Sequence, residues 1–328
     1  MKNDLKIVFF GTPEFAVPAL QSLLANDFNI AAVVTQPDKP VGRTKVLTAP
    51  PVKVLAQENN IPVLQPDKFS NLTIKQLNNF TPDLFVIVAY GKILPQELID
   101  IPHFGAVNIH PSLLPKYRGP SPLQAQILNG ENKTGVSIML IDNEMDHGPI
   151  LKNYELRITN YAKYNQETLG KELFEIGAKH LPKTIEKYIS GEVKPQEQDH
   201  SQATFTKLIK KEDGEIDWTK PAEYIEHMTR AYWPWPSAYG QLTTYNLQLT
   251  TKILKAHVGQ EQTNFKPGTL FTHSTGSGQE TLAVACGENS ILIIDKLQIS
   301  GKHPISGPEF IRGHLPVRPI TTKPPLFI

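Results

Sequence analysis

Residues 5–25 read LKIVFFGTPEFAVPALQSLLA, and this stretch decides the fold class. Leu5–Phe10 is a short apolar run halted by Gly11, the pattern of a strand buried on both faces. Thr12, Pro13 and Glu14 then supply an N-cap residue, a proline suited to the first turn and a first-turn acid. Together they predict a helix over roughly 13–25. The same strand type recurs at Ile30–Thr35 (IAAVVT), Asp83–Ala89 (DLFVIVA) and Gly105–His110 (GAVNIH), with helix-like stretches between. Continuous apolar strands alternating with helices predict a parallel sheet covered on both faces, a doubly wound α/β domain over residues 1–190. Tyr164–Ile189 reads as its closing helix, with Pro182 expected to end or kink it.

Beyond this domain the pattern changes. Residues 191–206 (GEVKPQEQDHSQATFT) are polar, as a linker is. Residues 207–328 hold one helix-like segment near Pro221–Arg230, then the aromatic–proline turn WPWPSAY. Alternating runs follow at 238–258, 268–272, 281–285 and 290–299. Short strands at that spacing predict a small antiparallel β barrel.

Composition excludes several classes. The 33 Lys+Arg against 32 Asp+Glu give a formal charge of +1, so the chain is not one that coats nucleic acid by bulk charge. A local basic patch remains compatible with that balance. The single cysteine, Cys286, excludes a disulfide framework or a multi-cysteine metal site, and points to a reducing, cytoplasmic compartment. The histidines show neither i, i+4 pairing nor clustered spacing, so no metal is expected. The start, MKNDLKIVFFGTPEF, reaches Gly-Thr-Pro too soon for a secretory signal or a membrane anchor. Proline, at 28 residues, is in excess, and it clusters in the segments that carry the site.

The chemistry concentrates between Asn108 and Gly148. Asn108 and His110 lie two apart at the carboxyl end of an expected parallel strand, so both project from one face, at the edge where such sheets place ligands. An amide donor beside an imidazole can stabilise an oxyanion and manage a proton. Asp146 follows an expected strand at Gly135–Leu140 and can return a carboxylate to the same edge, where it would orient the imidazole. Spacing alone does not separate this from a structural histidine and a turn-forming aspartate. Gly11-Thr12-Pro13 opens a helix N-terminus able to meet an anion or polar ligand. Its lone glycine is no dinucleotide fingerprint. The loop Gln36–Lys53 carries Lys39, Arg43, Lys45 and Lys53 against Asp38. It is either a disordered surface loop or an arm that closes on a phosphate backbone. Trp233 and Trp235 suit base stacking or, better, domain packing.

These segments together resemble the methionyl-tRNA formyltransferase family. The resemblance rests on FFGTPEFAVPAL, the basic loop leading into PPVKVLA, AYGKILP at 89–95, NIHPSLLPKYRG at 108–119, MDHGPI at 145–150, KLIKKEDGEIDW at 207–218 and WPWPSAY. It spans nearly the whole chain in order. It implies a Rossmann-like formyltransferase domain and an OB-like β domain that binds tRNA. The implied activity is transfer of the formyl group from 10-formyltetrahydrofolate to the α-amine of methionyl initiator tRNA, without a metal or a membrane, by a monomer. Asn108, His110 and Asp146 match the family's catalytic positions. Tyr90, Gly91, Lys92, Ile93 and Leu94 would line the folate site, largely through the main chain, with Ser112, Leu113, Leu114, Pro115 and Asp142. Gly11, Thr12, Phe15, Arg43 and Lys45 fall where the family meets methionine and tRNA. Pro111 and Pro120 depart from smaller residues in some relatives, which affects loop geometry rather than chemistry. The basic loop also carries fewer lysines than in many relatives.

A sugar-nucleotide N-formyltransferase would keep Asn108, His110, Asp146 and the folate donor. GTPEFA and the Arg43 loop argue against it. A glycinamide ribonucleotide formyltransferase shares the first domain but normally lacks one like 207–328. A non-catalytic tRNA- or folate-binding module is disfavoured by the intact Asn-His-Asp set.

Overall fold

The computed structural model describes residues 4–42, 45–244, 247–274, 280–314 and 326–327. They fall into two compact units. The first comprises Met1–Pro122, Asn132–Thr159 and Thr168–Lys207; the second comprises Leu123–Glu131, Asn160–Glu167 and Leu208–Ile328. Two short segments, Leu123–Glu131 and Asn160–Glu167, therefore belong to the second unit although they fall within the sequence span of the first.

The first unit begins with β1 (Lys6–Gly11), α1 (Val17–Ala25) and β2 (Asn29–Val34). A small hairpin, β3 (Lys39–Val41) and β4 (Val46–Thr48), precedes α2 (Pro51–Glu58), β5 (Val63–Leu64) and α3 (Asn71–Asn78). Then come β6 (Leu84–Val88), α4 (Gln96–Ile99), β7 (Ala106–His110) and α5 (Pro122–Leu128), most of which belongs to the second unit. β8 (Lys133–Leu140), β9 (Ile150–Arg157) and the long α6 (Gln166–Ile189) complete it. The sheet order is β5-β2-β1-β6-β7-β8-β9. β1, β2, β5, β6 and β7 are parallel, whereas β8 runs antiparallel to both of its neighbours, β7 and β9. The strands expected at 5–10, 30–35, 83–89 and 105–110 are thus parallel to one another, and β8 makes the sheet mixed.

β9 (ILKNYELR) was not anticipated, because its outward positions are charged and its burial alternates as an edge strand's does. Pro182 neither ends nor interrupts α6, whose helical assignment continues to Ile189. Gly177 on α6 lets the helix approach the sheet closely: a Cβ there would stand 2.7 Å from Ile109 Cγ2. The helix therefore covers the face of β7 that carries Ile109, and Asn108 and His110 alternate to the other face. Near the carboxyl end of β1, Phe10 packs edge-on against Phe85 and Tyr90, at 5.0 and 5.5 Å between ring centres, inside the buried core.

The second unit contains α7 (Ala222–Ala231) and strands β10 (Ala238–Thr244), β11 (Leu247–Val258), β12 (Leu270–Ser274), β13 (Glu280–Ala285), β14 (Ile291–Ile299) and β15 (Ile305–Ser306). α8 (Gly307–His314) and β16 (Leu326–Phe327) follow. The antiparallel order is β12-β13-β14-β11-β10-β16, with β15 beside β14. Leu242 of β10 pairs with Phe327, whose N–H donates to Gly268 O at 2.8 Å, just before β12. The sheet thus rolls toward closure. Register shifts at Lys255 help bend β11. α8 was not anticipated, although its start carries a readable signal: Ser306 and Glu309 hold each other's backbone N–H groups as a capping box does. Among the described residues no helix is long and apolar enough to cross a membrane.

Candidate active site

β1 lies between β2 and β6, so the winding of the sheet reverses between β1 and β6. Sheets of this kind place their ligands at such a switch point, at the carboxyl ends of the strands. Gly11 and Val88 are paired there. The loops beyond them are tied together by side chains. Thr12 Oγ1 donates to Tyr90 O at 3.1 Å, Gln36 Nε2 donates to the same oxygen at 2.9 Å, and Gln36 N donates to Thr12 Oγ1 at 3.3 Å. Thr12 therefore does not cap the following helix as expected. A 3-10 turn at Glu14–Ala16 begins it without a side-chain cap.

His110 ends β7 and is buried, 4% exposed. Its Nε2 lies 3.0 Å from Tyr117 O, and its Nδ1 lies 3.5 Å from Asp146 Oδ1. Both ring nitrogens face oxygen acceptors, and only the doubly protonated imidazolium can donate to both. The other oxygen of Asp146 accepts the Gly119 N–H at 2.8 Å. Asp146 reaches this place by an indirect path. β8 runs antiparallel, so Leu140 lies beside Val107 at the start of β7. The 141–149 loop must double back along the sheet to deliver its carboxylate, and Asp146 adopts φ +50° within it. Asn108 is half-buried on the same face of β7. The structure thus gathers His110 and Asp146 directly, with Asn108 one pleat away.

Several expected folate-site residues use their side chains for structure. The Tyr90 ring is buried beside Phe10 and Phe69, and burial pushes its phenol up to about 12. Leu94 joins the same core. Lys92 Nζ donates to Pro66 O and Asp67 O at 2.8 and 2.9 Å. Ser112 Oγ donates to Lys116 O at 2.7 Å, while Ser137 Oγ donates to Ser112 O and accepts from Leu114 N. Leu114 is buried, and Leu113 and Pro115 are half-buried. Asp142 binds His147 Nδ1 at 2.6 Å and accepts the Glu144 N–H. Gly91 is exposed with φ +78°, and Ile93 projects, 80% exposed.

Of the residues expected to meet methionine or tRNA, Gly11 is buried at the end of β1. Phe15 is half-buried and stacks on Phe174 with ring centres 5.4 Å apart. Lys45 is exposed in the β3–β4 turn, and Arg43 lies outside the described residues. The basic loop is thus a hairpin with an anchored base. Lys53 Nζ pairs with Asp38 at 2.8 Å, and Gln65 Nε2 donates to Asp38 Oδ1 and Gln36 O. The Gln65 hydrogen bond, and then Lys53, hold the Asp38 carboxyl below its ordinary range. Trp235 is 57% exposed. Among the described residues no group of three or more His, Cys, Asp or Glu side chains is placed to hold a metal.

Sequence reading missed Gln36, Gln65, Arg118 and Gln198. Arg118 stood inside the NIHPSLLPKYRG motif and could have been singled out there. Gln198 sits in a polar stretch that gives no signal at all.

Comparison with known proteins identifies the family. The family model described as formyl transferase matches residues 5–185, and that of the formyl transferase C-terminal domain matches residues 208–315. A methionyl-tRNA formyltransferase of Chloroflexus aurantiacus is 45% identical over 94% of this chain and 97% of its own. That of Bacillus velezensis is 41% identical, covering 94% of each. Among solved structures, a sugar 3N-formyltransferase determined with dTDP and 5-N-formyl-THF superposes with a TM-score of 0.64 over 91% of this chain and 99% of its own. At 21% identity it supports the fold alone.

Proposed function

Because the chain belongs to the methionyl-tRNA formyltransferase family, we infer that it transfers a formyl group from a folate donor to the α-amine of methionyl-tRNA, with Asn108, His110 and Asp146 carrying the step. The observation that supports these residues is the buried His110–Asp146 contact of 3.5 Å on the face of β7 that also bears Asn108. The donor we assign is 10-formyltetrahydrofolate, and the acceptor is the methionyl initiator tRNA. The main chain of 90–94, with the 112–115 and 142–146 segments, would receive the pterin.

In this reading the amine lone pair attacks the formyl carbon, and the carbonyl electrons move onto oxygen. The Asn108 amide and the His110 imidazolium stabilise that oxyanion. His110 Nε2 is held by Tyr117 O and Nδ1 faces Asp146, so in this reading the ring acts on the oxyanion through its charge rather than through a free N–H. The Asp146 carboxylate steadies the ring. Collapse of the adduct breaks the carbon–N10 bond. Its electrons stay on N10, which takes up the proton lost by the attacking amine, with Asp146 assisting the relay. We also take the protein to act as a cytoplasmic monomer, a reading that one buried, unpaired cysteine fits.

The discriminating experiment offers purified protein 10-formyltetrahydrofolate with either methionyl-tRNA or an amino-sugar nucleotide. Formylation of methionyl-tRNA is the expected result. Activity on the sugar nucleotide alone overturns the acceptor assignment.

A further inference from the structure

Neither resemblance nor composition pointed to the segment after α6, yet it is built into the candidate site. We propose that Arg118, Gln198 and Thr204 are positioning residues for formyl transfer, fixing the tripeptide 117–119 that holds both His110 and Asp146. The proposal rests on the roles given to those two side chains above.

Tyr117 O meets His110 Nε2, and Gly119 N–H meets Asp146 Oδ2. One short piece of main chain therefore sets the spacing of the imidazole and the carboxylate. That piece is clamped by residues 204–206. Arg118 N donates to Thr204 O at 2.8 Å, and Thr206 N donates to Arg118 O at 2.7 Å, as in a parallel strand pair. Tyr117 N donates to Thr204 Oγ1 at 2.8 Å, and Ser121 N to Thr206 Oγ1 at 3.0 Å. Gly119 holds φ +107° so close to the clamp that a Cβ would stand 2.7 Å from Thr206 O.

A second tie comes from Arg118 itself, whose guanidinium is buried, 3% exposed. Its Nε and Nη2 donate to Gln198 Oε1 at 3.1 and 2.7 Å, Nη2 also reaches His200 Nδ1 at 2.9 Å, and the group lies 5.9 Å from the Phe205 ring. Gln198 Nε2 donates to Asp146 O at 2.9 Å and Gly148 O at 2.7 Å. The orientation of this amide is unambiguous, because a guanidinium only donates and carbonyls only accept. Gln198 therefore joins the tripeptide to the loop that delivers Asp146. The His200 ring stacks on His147, centre to centre 4.1 Å, and His147 is bonded to Asp142 in the same loop. These residues need not touch substrate. They act by holding the groups that would.

Two substitution pairs test this. Thr204→Val removes the acceptor for Tyr117 N while keeping shape, and Thr204→Ser restores it. Gln198→Met removes both ties, and Gln198→Glu keeps only the one to Arg118. Thr204→Val and Gln198→Met should lower kcat about 10- to 100-fold, the scale of a small misplacement of reacting groups. In Thr204→Val, which leaves the 142–146 segment tied, KM for both substrates should stay within about threefold. Thr204→Ser should recover most of kcat, and Gln198→Glu should resemble the Met variant. Thr204 is exposed, so its pair decides the question even if the Gln198 variants unfold. Unchanged kcat in Thr204→Val, a loss confined to KM, or a serine variant as impaired as the valine overturns the proposal. Wild-type protein inactive on methionyl-tRNA would instead overturn the functional reading itself.

Discussion

His110 Nδ1 stands 3.5 Å from Asp146 Oδ1, and the far side of each group is fastened to the same tripeptide, by Tyr117 O and by Gly119 N. The contact is longer than a tight hydrogen bond, so it acts chiefly through charge and orientation. Asp146→Asn retains an oxygen for the Gly119 N–H and loses the charge. It should lower kcat by about 10²-fold or more with the melting temperature little changed. Asn108→Ala should cost about 10²–10³ in kcat, as loss of an oxyanion donor does. Folate affinity, measured by fluorescence titration, should remain within a few-fold in both. Undiminished turnover in both variants would remove these residues from the reaction.

How much of this was legible varies with the range of the interactions. Asn108 and His110 could be placed on one face from their two-residue spacing at the end of an apolar strand, because alternation is a local property. The approach of Asp146 could not, since β8 reads as a buried strand whichever way it runs. Its direction is set by pairing with β7 and with β9, and β9 is disguised by the charges of an edge strand. α6 continues through Pro182 because tertiary packing of the helix, Gly177 against Ile109 included, outweighs the local loss of one hydrogen bond. Gln198 was invisible because its partners are Arg118, Asp146 and Gly148, all distant in sequence, and nothing local marks a glutamine for such a role.

Gly119 carries a conformation that a side chain cannot share. At φ +107°, with Thr206 O only 2.7 Å from a Cβ, Gly119→Ala must displace the 204–206 strand or twist the tripeptide. Backbone strain of this kind costs about 1–3 kcal/mol. Thermal unfolding should fall by a few degrees. kcat should fall further than stability alone explains, because the Gly119 N–H leaves Asp146. A variant with wild-type kcat and melting temperature would show that the clamp yields without consequence.

The base of the β3–β4 hairpin depends on Asp38, whose carboxyl is held below its ordinary range by Gln65 and then Lys53. A depressed folded pKa contributes stability above the unfolded value, and the contribution is lost as pH falls through the folded one. The anchor should therefore persist through neutral pH and weaken only in acid below the usual carboxylate range. Because the Asp38–Lys53 pair is still partly open to water, the effect on global stability should be small. Asp38→Asn should instead show itself locally, as faster trypsin cleavage after Arg43 and Lys45 at neutral pH. Cleavage at the wild-type rate would mean that the ion pair does not restrain the hairpin.

Arg43 lies in sequence between β3 and β4, which present Val41, Val46 and Leu47 to solvent. With a net charge of only +1, the protein cannot attract tRNA by bulk electrostatics, so individual cations near the acceptor end should matter more. Each phosphate contact contributes a roughly constant increment to the dependence of affinity on salt. Arg43→Ala should raise KM for methionyl-tRNA and flatten the slope of log(kcat/KM) against log salt by about one contact's worth, with KM for the folate unchanged. The anchored base makes this separable: Asp38→Asn frees the hairpin without removing a cation, and should raise KM for tRNA without changing the salt slope. Equal losses for tRNA and folate in Arg43→Ala would assign the arginine to the architecture of the loop.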